Sequence, residues 1–477
     1  MKPLLLYRIS RTYMPIIGLI MITSCTFLQT EPVSVSAGDS YFHDRAIGSP
    51  YATGIPYALW LTIMDQYPKE LGLNWGEFTE KFGLIKKDND PRGLPVGFVL
   101  EHDRLSGTPF LMTNCSLCHT ALINKRKIDG LGARTLKLTE LNNLFMQLVS
   151  RQDFTSDTLV SAAEDTAKRH SIPWDWRSSL AAKMAIKKLK EYSTDHKAVA
   201  AGPGRSVPIE FMKEVSHLPV EPPYGYVRFR PVWGYGKRQS FGADGALAGD
   251  TALAAATVEF NKRMPPNDIA NYKNRFYSIY NYLKTLRSPP YPGLIDKTLA
   301  DRGRQVYSDH CAECHGSYDS EKKTSYRERI FPIAVIGTDP DRLITLTPLL
   351  IATFNHNALG RVAPLRNSGG YVARPLDGIW SCGPYLHNGS VPTLHDLLRP
   401  ANERPSVFFL VDNSDYDLNK LGIVTRRGSP LNQNRVEASS SFLFDTRLPG
   451  NSNKGHEFGT QLSEADRQAL IEYLKQL

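Results

Sequence analysis

The chain has 477 residues, with 57 Lys and Arg against 48 Asp and Glu and a formal net charge of +9. This length is ample for two domains. The modest positive charge is spread along the chain, which excludes the concentrated basic surface expected of a nucleic-acid-binding protein.

The first residues predict export from the cytoplasm. Residues 1–24 combine basic residues with an apolar run that is shorter than the ~20 residues of a membrane span, which is typical of a secretory signal. The signal ends in Ile-Thr-Ser-Cys25, which resembles the lipobox of bacterial lipoproteins. We therefore expect lipidation of Cys25, residues 25–45 as a tether, and a periplasmic protein with a slight preference for the outer membrane. The alternative is cleavage nearby, which would leave a soluble periplasmic protein.

Two Cys-x-x-Cys-His pentapeptides give the clearest indication of function. The motif residues are Cys115, Cys118 and His119 in the first, and Cys311, Cys314 and His315 in the second. Such a motif attaches a haem through two thioether bonds, and its histidine supplies an axial nitrogen to the iron. A zinc site would require further ligands at short spacing, yet no His or Cys occurs between His119 and His170. A thioredoxin-like pair would not explain the adjacent histidine twice. The motifs predict two covalently bound c-type haems.

Helical periodicity alternates with one long loop-rich region. Helices are predicted over 55–71, 139–150, 157–170, 178–192 and 269–286, with a short one before the second motif and one from Ser463 to the C-terminus. Residues 200–250, rich in Gly, Pro and aromatics, predict an ordered loop or short strands. A Pro-rich stretch near residue 292 predicts the boundary between an N-terminal haem domain, 46–292, and a C-terminal cytochrome c domain, 293–477. The expected fold class is mainly α, with two class I cytochrome c-like domains, the first enlarged by long loops and extra helices.

The sixth iron ligands separate an electron carrier from a reactive haem. His456, in a Gly-rich loop just before the last helix, is the predicted distal ligand of the second haem. For the first haem two alternatives stay open. Met264, in Met-Pro-Pro-Asn, would close the iron. Otherwise the aromatic residues Trp233, Tyr235 and Phe241 would wall an open, apolar distal pocket.

The stretch 371–398, YVARPLDGIWSCGPYLHNGSVPTLHDLL, resembles the C-terminal domain of the bacterial di-haem cytochrome c peroxidases and their MauG-type and rubber-oxygenase relatives. Leu-Pro-Val-Gly-Phe at 94–98 and the loop that ends in His456 are most similar to the rubber-oxygenase-like branch. The resemblance implies a bis-His second haem on His315 and His456 and a reactive first haem on His119. It also implies that His387 is a buried residue near the second haem and not an iron ligand.

These observations predict an exported di-haem c-type cytochrome oxidoreductase of peroxidase or dioxygenase type, with a reactive N-terminal haem and an electron-transfer haem. The alternative is a pure electron-transfer cytochrome with both irons six-coordinate. The expected partners are a periplasmic electron donor or acceptor, peroxide, O₂ or a small organic substrate, and the membrane through the N-terminal lipid. Cys382 is the cysteine that remains after those of the two motifs and Cys25, and we expect it to be a buried small residue.

Overall fold

Helices dominate the computed structural model, which describes residues 32–104, 106–195, 198–254, 272–319, 324–411, 415–427 and 441–477. Cys25 and Met264 lie outside the described residues. The longer helices are α1 (Val35–His43), α2 (Tyr57–Gln66), α3 (Trp75–Lys81), α4 (Leu138–Val149), α5 (Ser156–Arg169), α6 (Trp176–Asp195), α7 (Pro208–Val215), α8 (Lys273–Thr285), α9 (Lys297–His310), α10 (Pro348–His356) and α11 (Glu464–Leu474).

Short helices of four or five residues lie between the longer ones. They are Pro50–Thr53, Pro68–Leu71, Ser116–His119, Ala312–His315, Ile333–Ile336, Asp341–Ile344, Ala358–Val362 and Leu394–Leu397. Two of them carry the Cys-x-x-Cys-His motifs.

The strands are short and pair antiparallel. They are β1 (Ile55–Pro56), β2 (Phe98–His102), β3 (Pro109–Thr113), β4 (Thr120–Ile123), β5 (Arg126–Asp129), β6 (Arg205–Ser206), β7 (Val227–Arg228), β8 (Ser317–Tyr318), β9 (Thr324–Ser325), β10 (Arg329–Pro332), β11 (Gly370–Ala373), β12 (Val407–Val411), β13 (Tyr416–Asp417), β14 (Gly422–Ile423), β15 (Thr425–Arg427) and β16 (Ser441–Asp445). Two sheets have three strands, in the orders β1-β3-β2 and β15-β12-β16, and the other strands form pairs. The expected helical character is therefore confirmed, while the two-domain class I arrangement and its boundary stay predictions.

Two helix pairs cross at close range through a glycine. A Cβ on Gly38 of α1 would lie 2.0 Å from the carbonyl oxygen of Ser278 in α8, and a Cβ on Gly303 of α9 would lie 1.9 Å from that of Ala469 in α11. One turn after each glycine an aromatic ring meets a tyrosine of the partner helix. The ring centroids are 5.4 Å apart for Phe42 and Tyr282 and 5.2 Å apart for Tyr307 and Tyr473. The chain thus builds the same helix crossing twice.

A loop is also built twice, over residues 230–247 and 374–391. Each copy starts with Arg-Pro-x-x-Gly, and its glycine, Gly234 or Gly378, has a positive φ of 77° or 63° and precedes a 3₁₀ turn. Each copy then closes on itself through one antiparallel bridge. The bridged pairs are Phe241 with Leu247 and Tyr385 with Val391. These paired features give the two halves of the chain a common plan.

The buried apolar side chains form three main clusters. One joins α1, α7, α8 and α10, a second joins α2 to α6, and a third joins α9 and α11 to the loops and strands of residues 380–423. The motif helix at Ser116–His119 lies between the first two clusters, since Cys115 contacts the first and Leu117 the second.

Two elements differ from the sequence prediction. The tether predicted over 25–45 is wrong for residues 35–43, which form α1, capped by the Ser34 side chain and packed on α8 through Tyr41 and Phe42. The sequence pattern did not predict α1 because its apolar face is short, and the face can be recognised only from its packing on α8. Within the 200–250 region, α7 is an additional helix inside the expected loops.

Replacing Gly303 by Ala tests the second crossing. At a solvent-exposed position of a helix, replacing Gly by Ala typically stabilises the folded protein by about 1 kcal/mol. At Gly303, however, the new methyl group must displace α11. We expect the free energy of unfolding in urea to fall by about 1–3 kcal/mol, as for other overpacked sites. Gln305→Ala, at an exposed position of the same helix, is the control and should have little effect. A more stable Gly303→Ala variant would contradict the packing described.

Candidate haem sites

The first motif is held by a buried turn between β3 and β4. His119 is buried, and its Nδ1 lies 3.1 Å from the carbonyl oxygen of Arg230. Because a carbonyl can only accept, Nδ1 must carry the proton, so Nε2 is the nitrogen with the lone pair that a metal can bind. The sequence therefore fixes both the tautomer and the orientation of this ring through a residue far along the chain.

The Leu-Pro-Val-Gly-Phe segment packs directly on this motif. Gly97 has a φ of +88°, and a Cβ there would lie 2.3 Å from the Cα of Leu117. Its carbonyl oxygen accepts a hydrogen bond of 2.9 Å from the amide of Asn114, and the Asn114 side chain accepts one of 2.7 Å from the Ser116 hydroxyl. Only glycine allows this approach, so the segment acts as a clamp on the motif.

A cavity of about 400 Å³ adjoins the first motif. Cys118 and His119 line it, together with aromatic side chains from opposite sides of the fold. These are Trp60, Phe98, Phe145, Tyr235 and Phe241. Such an apolar lining suits a flat, hydrophobic macrocycle.

The predicted aromatic wall of the first site is partly wrong. Tyr235 and Phe241 do line the first cavity, but Trp233 lines the second, where its Nε1 donates to the carbonyl oxygen of Asp377 at 2.8 Å. The cause is Gly234, whose left-handed conformation turns the chain between the two aromatic residues. Trp233 and Tyr235, although close in sequence, therefore line different cavities.

Glu210 is a buried carboxyl on the first cavity that sequence reasoning did not find. It is 2% exposed, and its Oε1 accepts a hydrogen bond of 3.0 Å from the amide of Gly225. Its Oε2 has no hydrogen-bond partner among the described residues. Burial raises the pKa of this carboxyl, which favours its protonated form and suits a proton donor or acceptor.

The second motif follows α9 directly, with Cys311, Cys314 and His315 on a cavity of about 230 Å³. The Nδ1 of His315 lies 2.6 Å from the carbonyl oxygen of Arg374. This bond again assigns the proton to Nδ1 and leaves Nε2 for a metal. Arg374 stands at the position of Arg230 in the repeated loop, so the two histidines are oriented in the same way.

His456 reaches the same cavity from the opposite end of the chain. Its ring centroid lies 6.2 Å from that of His315, with 46° between the ring planes. A metal–imidazole nitrogen bond of about 2 Å on each side would place one iron between two rings at this separation. Burial, and then the nearby His315, lower the pKa of His456 to about 4, and burial also lowers the pKa of His315. Both shifts favour the neutral form that coordinates metals. Their role as iron ligands stays a prediction.

The loop that carries His456 is fixed by contacts that the sequence did not reveal. The His456 amide donates to the carbonyl oxygen of Ile336 at 2.7 Å, and a Cβ on Gly455 would lie 2.3 Å from the carbonyl carbon of Gly337. Arg404, buried at 4% exposure, donates to the carbonyl oxygens of Asn453 and Gly455 at 2.6 and 2.8 Å. These bonds hold His456 at a φ of 49°, a left-handed backbone conformation that is uncommon for residues other than glycine.

His387 is buried beside the second cavity, as expected for a residue that packs near it. Its ring stacks on Tyr371 with centroids 4.3 Å apart, and its Nε2 lies 3.1 Å from the Tyr371 hydroxyl. Cys382 is also buried, with its Sγ 3.2 Å from the carbonyl oxygen of Gly378.

Several arginines line the two cavities. Arg228, Arg230, Arg238 and Arg374 line both, and Arg342 lines the first. Arg238 is paired with Glu328 and Arg342 with Asp244, but the other three form no ion pair with a carboxylate among the described residues. Burial lowers the pKa of Arg230 well below its ordinary value, and the positive charge of Arg374 lowers it further. The cavities therefore favour a ligand with negative charge.

The residues at both cavities fit a c-type haem. Each motif provides two thiols beside a histidine that is protonated on Nδ1, and the linings are largely apolar. The arginines that have no carboxylate partner among the described residues match the carboxylates that a haem carries on its edge. Cys118 and His119 would hold the group in the first cavity, with Cys115 buried beside it. Cys311, Cys314, His315 and His456 are the corresponding residues in the second.

The match to one family model points to the same chemistry. Residues 370–409 match a family model described as RoxA-like, cytochrome c-like. The uncharacterized protein y4iJ of Sinorhizobium fredii is 28% identical over 89% of this chain and 89% of its own length. The uncharacterized protein y4iM of the same organism is 32% identical over 41% of this chain and 52% of its own length.

A solved structure of Kuenenia stuttgartiensis hydrazine synthase, pressurised with 20 bar xenon, covers 53% of this chain and 73% of its own at 17% identity. Its TM-score of 0.23 is too low to support an argument. The family match supports a cytochrome c-type haem protein with covalently bound haem. Within the described ranges, no helix combines the length and the hydrophobicity of a membrane span.

Two carboxyls stand beside the His456 loop. Asp339 accepts a hydrogen bond of 3.0 Å from the amide of Ser452. The Oδ2 of Asp341 is buried and has no hydrogen-bond partner among the described residues. Burial, and then the charge of Asp339, raise the pKa of Asp341 to about 6.

The raised pKa of Asp341 makes stability depend on pH. The folded state binds the proton more tightly than the unfolded state, whose pKa is about 4, so ionisation costs stability as the pH rises from about 4 to about 6. We expect Asp341→Asn to raise the melting temperature at pH 7.5, with the gain vanishing near pH 4. Asp301→Asn, at an exposed position of α9, is the control. A gain that persisted unchanged at pH 4 would rule out this explanation.

Proposed function

We propose that the protein is an exported di-haem c-type cytochrome oxidoreductase of the rubber-oxygenase-like branch of the di-haem peroxidase and MauG group. Its haem on His119 is the reactive one, with peroxide or O₂ as the oxidant. Its haem between His315 and His456 transfers electrons. The match of residues 370–409 to a RoxA-like cytochrome c model supports this assignment.

The observation that carries the proposal is the asymmetry of the two cavities. In the second, two histidines face each other at 6.2 Å, which suits an iron closed on both sides. In the first, His119 is the only histidine among the described lining residues. The first cavity is also the larger, at about 400 Å³ against 230 Å³. Since both would hold the same group, the additional volume at the first is available to a second molecule.

A haem iron with an open sixth position supplies peroxide or O₂ chemistry, while a closed iron favours electron transfer. The protein positions His119 through Arg230, shields the first cavity with aromatic side chains, and keeps Glu210 on its wall as a proton donor or acceptor. At the second site Arg404 and Ile336 hold the His456 loop in place. The duplicated helix crossing and the duplicated Arg-Pro loop support two cytochrome-like units, one for each haem.

The alternative is an electron carrier with both irons six-coordinate. One observation favours it: Met212, on α7, is buried and lines the first cavity. A thioether at that position could close the first iron, as could Met264, which lies outside the described residues.

The proposed partners follow from this assignment. A periplasmic electron donor or acceptor would exchange electrons with the second haem, and peroxide, O₂ or a small organic substrate would enter the first cavity. Lipidation of Cys25 would anchor the protein to the bacterial outer membrane, facing the periplasm.

An electron paramagnetic resonance spectrum of the oxidised protein tests the function. We expect a high-spin ferric signal from the first haem and a low-spin signal from the second, with two haems per chain by pyridine haemochrome assay. His456→Ala should convert the low-spin signal to high spin without changing the haem content, because the thioethers remain. His356→Ala, an exposed histidine of α10, is the control.

Two low-spin signals in the wild-type protein would instead favour the electron carrier. Met212→Ala and Met264→Ala would then identify the closing ligand, because only the loss of that ligand produces a high-spin signal.

Replacing Glu210 by Gln tests its proposed role. Because general acid–base groups contribute typically 100- to 10,000-fold, we expect the rate of reaction with peroxide in stopped-flow to fall at least about 100-fold. The high-spin signal should be retained. Glu214→Gln is the matched control, since its carboxylate lines the same cavity but accepts a hydrogen bond of 3.1 Å from the Tyr192 hydroxyl. An unchanged rate in Glu210→Gln would remove this residue from the mechanism.

A further inference from the structure

We propose that the exposed face of α6 binds the surface of a bilayer that contains anionic phospholipids. This contact orients the protein on the membrane and adds a second attachment to the lipid proposed on Cys25. It goes beyond the proposed function, because it does not depend on the chemistry of the haems.

A row of exposed apolar side chains runs along α6. Trp176, Leu180 and Met184 follow one another at intervals of four residues, and they are 69%, 50% and 44% exposed. Since a helix turns by about 100° and rises by about 1.5 Å per residue, these side chains form one ridge about 12 Å long. Scattered apolar residues are normal on a protein surface, but a contiguous exposed row is typical of an interaction site.

This ridge is separate from the core of the protein. The opposite face of α6 is already packed, because Ala181, Ala182 and Ile186 are buried. Ala182 and Ile186 belong to the second main apolar cluster, and Ala181 packs in a small cluster with Phe110. The helix therefore has two apolar faces, of which one is packed on the protein and the other is exposed.

Basic side chains lie on both sides of the ridge. The rotation of the helix places Lys183 and Lys190 on one side of it, and all of these lysine side chains are exposed. The exposed Arg177 and Lys188 lie on the other side. Over its whole length α6 has five basic residues against two acidic ones. The surface around the ridge is therefore complementary to negative charge.

The ion pairs that these cations form are weak. Lys187 pairs with Glu191 at 3.8 Å, and Arg177 pairs with Asp175 at 3.1 Å. Both pairs are exposed to solvent, and exposed pairs contribute little to stability. Their cations are therefore available to lipid phosphates.

An apolar ridge between basic side chains matches the surface of an anionic bilayer. Phosphate headgroups attract Lys and Arg, with about a fivefold gain in affinity for each residue at the surface. Trp176 suits the boundary between headgroups and acyl chains, while the stems of the lysines extend along the apolar layer toward the phosphates. A single ridge provides much less than the ~800 Å² that each partner of a stable protein complex typically buries. These features favour a lipid surface over a protein partner.

The start of the folded chain lies beside the same helix. Ala46, three residues after α1, packs in one small cluster with Ala181, and the carbonyl oxygen of Tyr51 accepts a hydrogen bond of 2.9 Å from Lys188. In sequence, α1 begins ten positions after Cys25, a chain length of at most about 35 Å. A lipid on Cys25 therefore keeps this part of the protein near the bilayer that α6 binds.

Binding through α6 also has a consequence for the haem sites. The buried face of α6 packs in the same apolar cluster as Phe98 and Phe145, and both of these rings line the first cavity. The bilayer contact is therefore made by an element that packs on the wall of the site proposed to be reactive.

Vesicle flotation of the holoprotein tests the proposal. The full mature chain is exported behind an unrelated signal with Cys25→Ser, so that it carries its haems but no lipid. We expect it to float with vesicles of phosphatidylethanolamine and phosphatidylglycerol and to bind vesicles of phosphatidylcholine much more weakly. Added salt should release it from the anionic vesicles, because screening weakens the attraction to the headgroups.

Substitution of the basic residues tests the charge. Lys183→Gln combined with Lys190→Gln should weaken binding about 25-fold, or about fivefold for each charge. Lys297→Gln combined with Lys420→Gln, at exposed positions outside α6, is the matched control and should have little effect. Both proteins should keep the parent's haem spectrum and melting temperature, since the substituted side chains are exposed.

Substitution and labelling of Leu180 test the apolar contact. Leu180→Gln should weaken binding at least about fivefold, whereas Leu294→Gln, at a leucine that is 96% exposed, should not. An environment-sensitive fluorophore on Leu180→Cys should shift its emission to the blue when anionic vesicles are added, and on Leu294→Cys it should not shift. Cys382 is buried and the motif cysteines hold the haems, so the introduced thiol is the one that is labelled.

Failure to float with the anionic vesicles would overturn the proposal, as would binding that the α6 substitutions leave unchanged. Equal binding to both kinds of vesicle would overturn the assignment to anionic lipid. A dimer that Leu180→Gln dissociates in sedimentation velocity, without vesicle binding, would assign the ridge to a second copy of the chain instead. None of these results bears on the haems, whose state is read from the resonance spectrum.

Discussion

The hydrogen bond between a motif histidine and a carbonyl oxygen just before a proline is the constraint on which both candidate haem sites depend. A histidine four residues after a cysteine can point in several directions, and its tautomer is undefined. The bonds from His119 to Arg230 and from His315 to Arg374 remove both freedoms. They also fix where the Arg-Pro loop must pass, and therefore where the arginine side chains and the following aromatic residues lie.

The two sites share this constraint, but they differ in the residues that form the wall of the cavity opposite the motif histidine. The second site receives His456 on a loop that is fixed by Arg404 and by the close approach of Gly455 to Gly337. The first site receives aromatic side chains and a buried carboxyl, Glu210, and has the larger cavity. A duplicated scaffold therefore supports one pocket suited to a closed iron and one suited to a ligand, which is the division of labour that the proposed function requires.

The sequence was most informative where chemistry is local. The Cys-x-x-Cys-His spacing identifies its sites without a fold, and helical periodicity located α4, α5, α6 and α11 to within a few residues. It also singled out His456, because a Gly-rich loop before a final helix is a local pattern, and the structure brings that residue to His315. Its role in ligation remains to be measured.

What the sequence could not provide depends on contacts between distant segments. The importance of Arg230 and Arg374 arises only when the two loops meet. Glu210 looked like one of many acidic residues on a helix until its burial was known. Trp233 was assigned to the wrong site because a single left-handed residue, Gly234, separates it from Tyr235, and the sign of one backbone angle is not visible in a run of aromatic residues.

The position of the Arg-Pro loops has a consequence for how such a chain can change in evolution. Segments from the two sides of the boundary predicted near residue 292 meet in the fold. The backbone amide of Arg228 donates to the carbonyl oxygen of His387 and the Trp233 side chain donates to that of Asp377, so each half contributes to the pocket of the other. A recombination event that exchanged one half for an unrelated cytochrome would leave the remaining pocket without part of its wall. The two halves must therefore be inherited and diversify as a pair, although the helix crossing and the Arg-Pro loop occur in each of them.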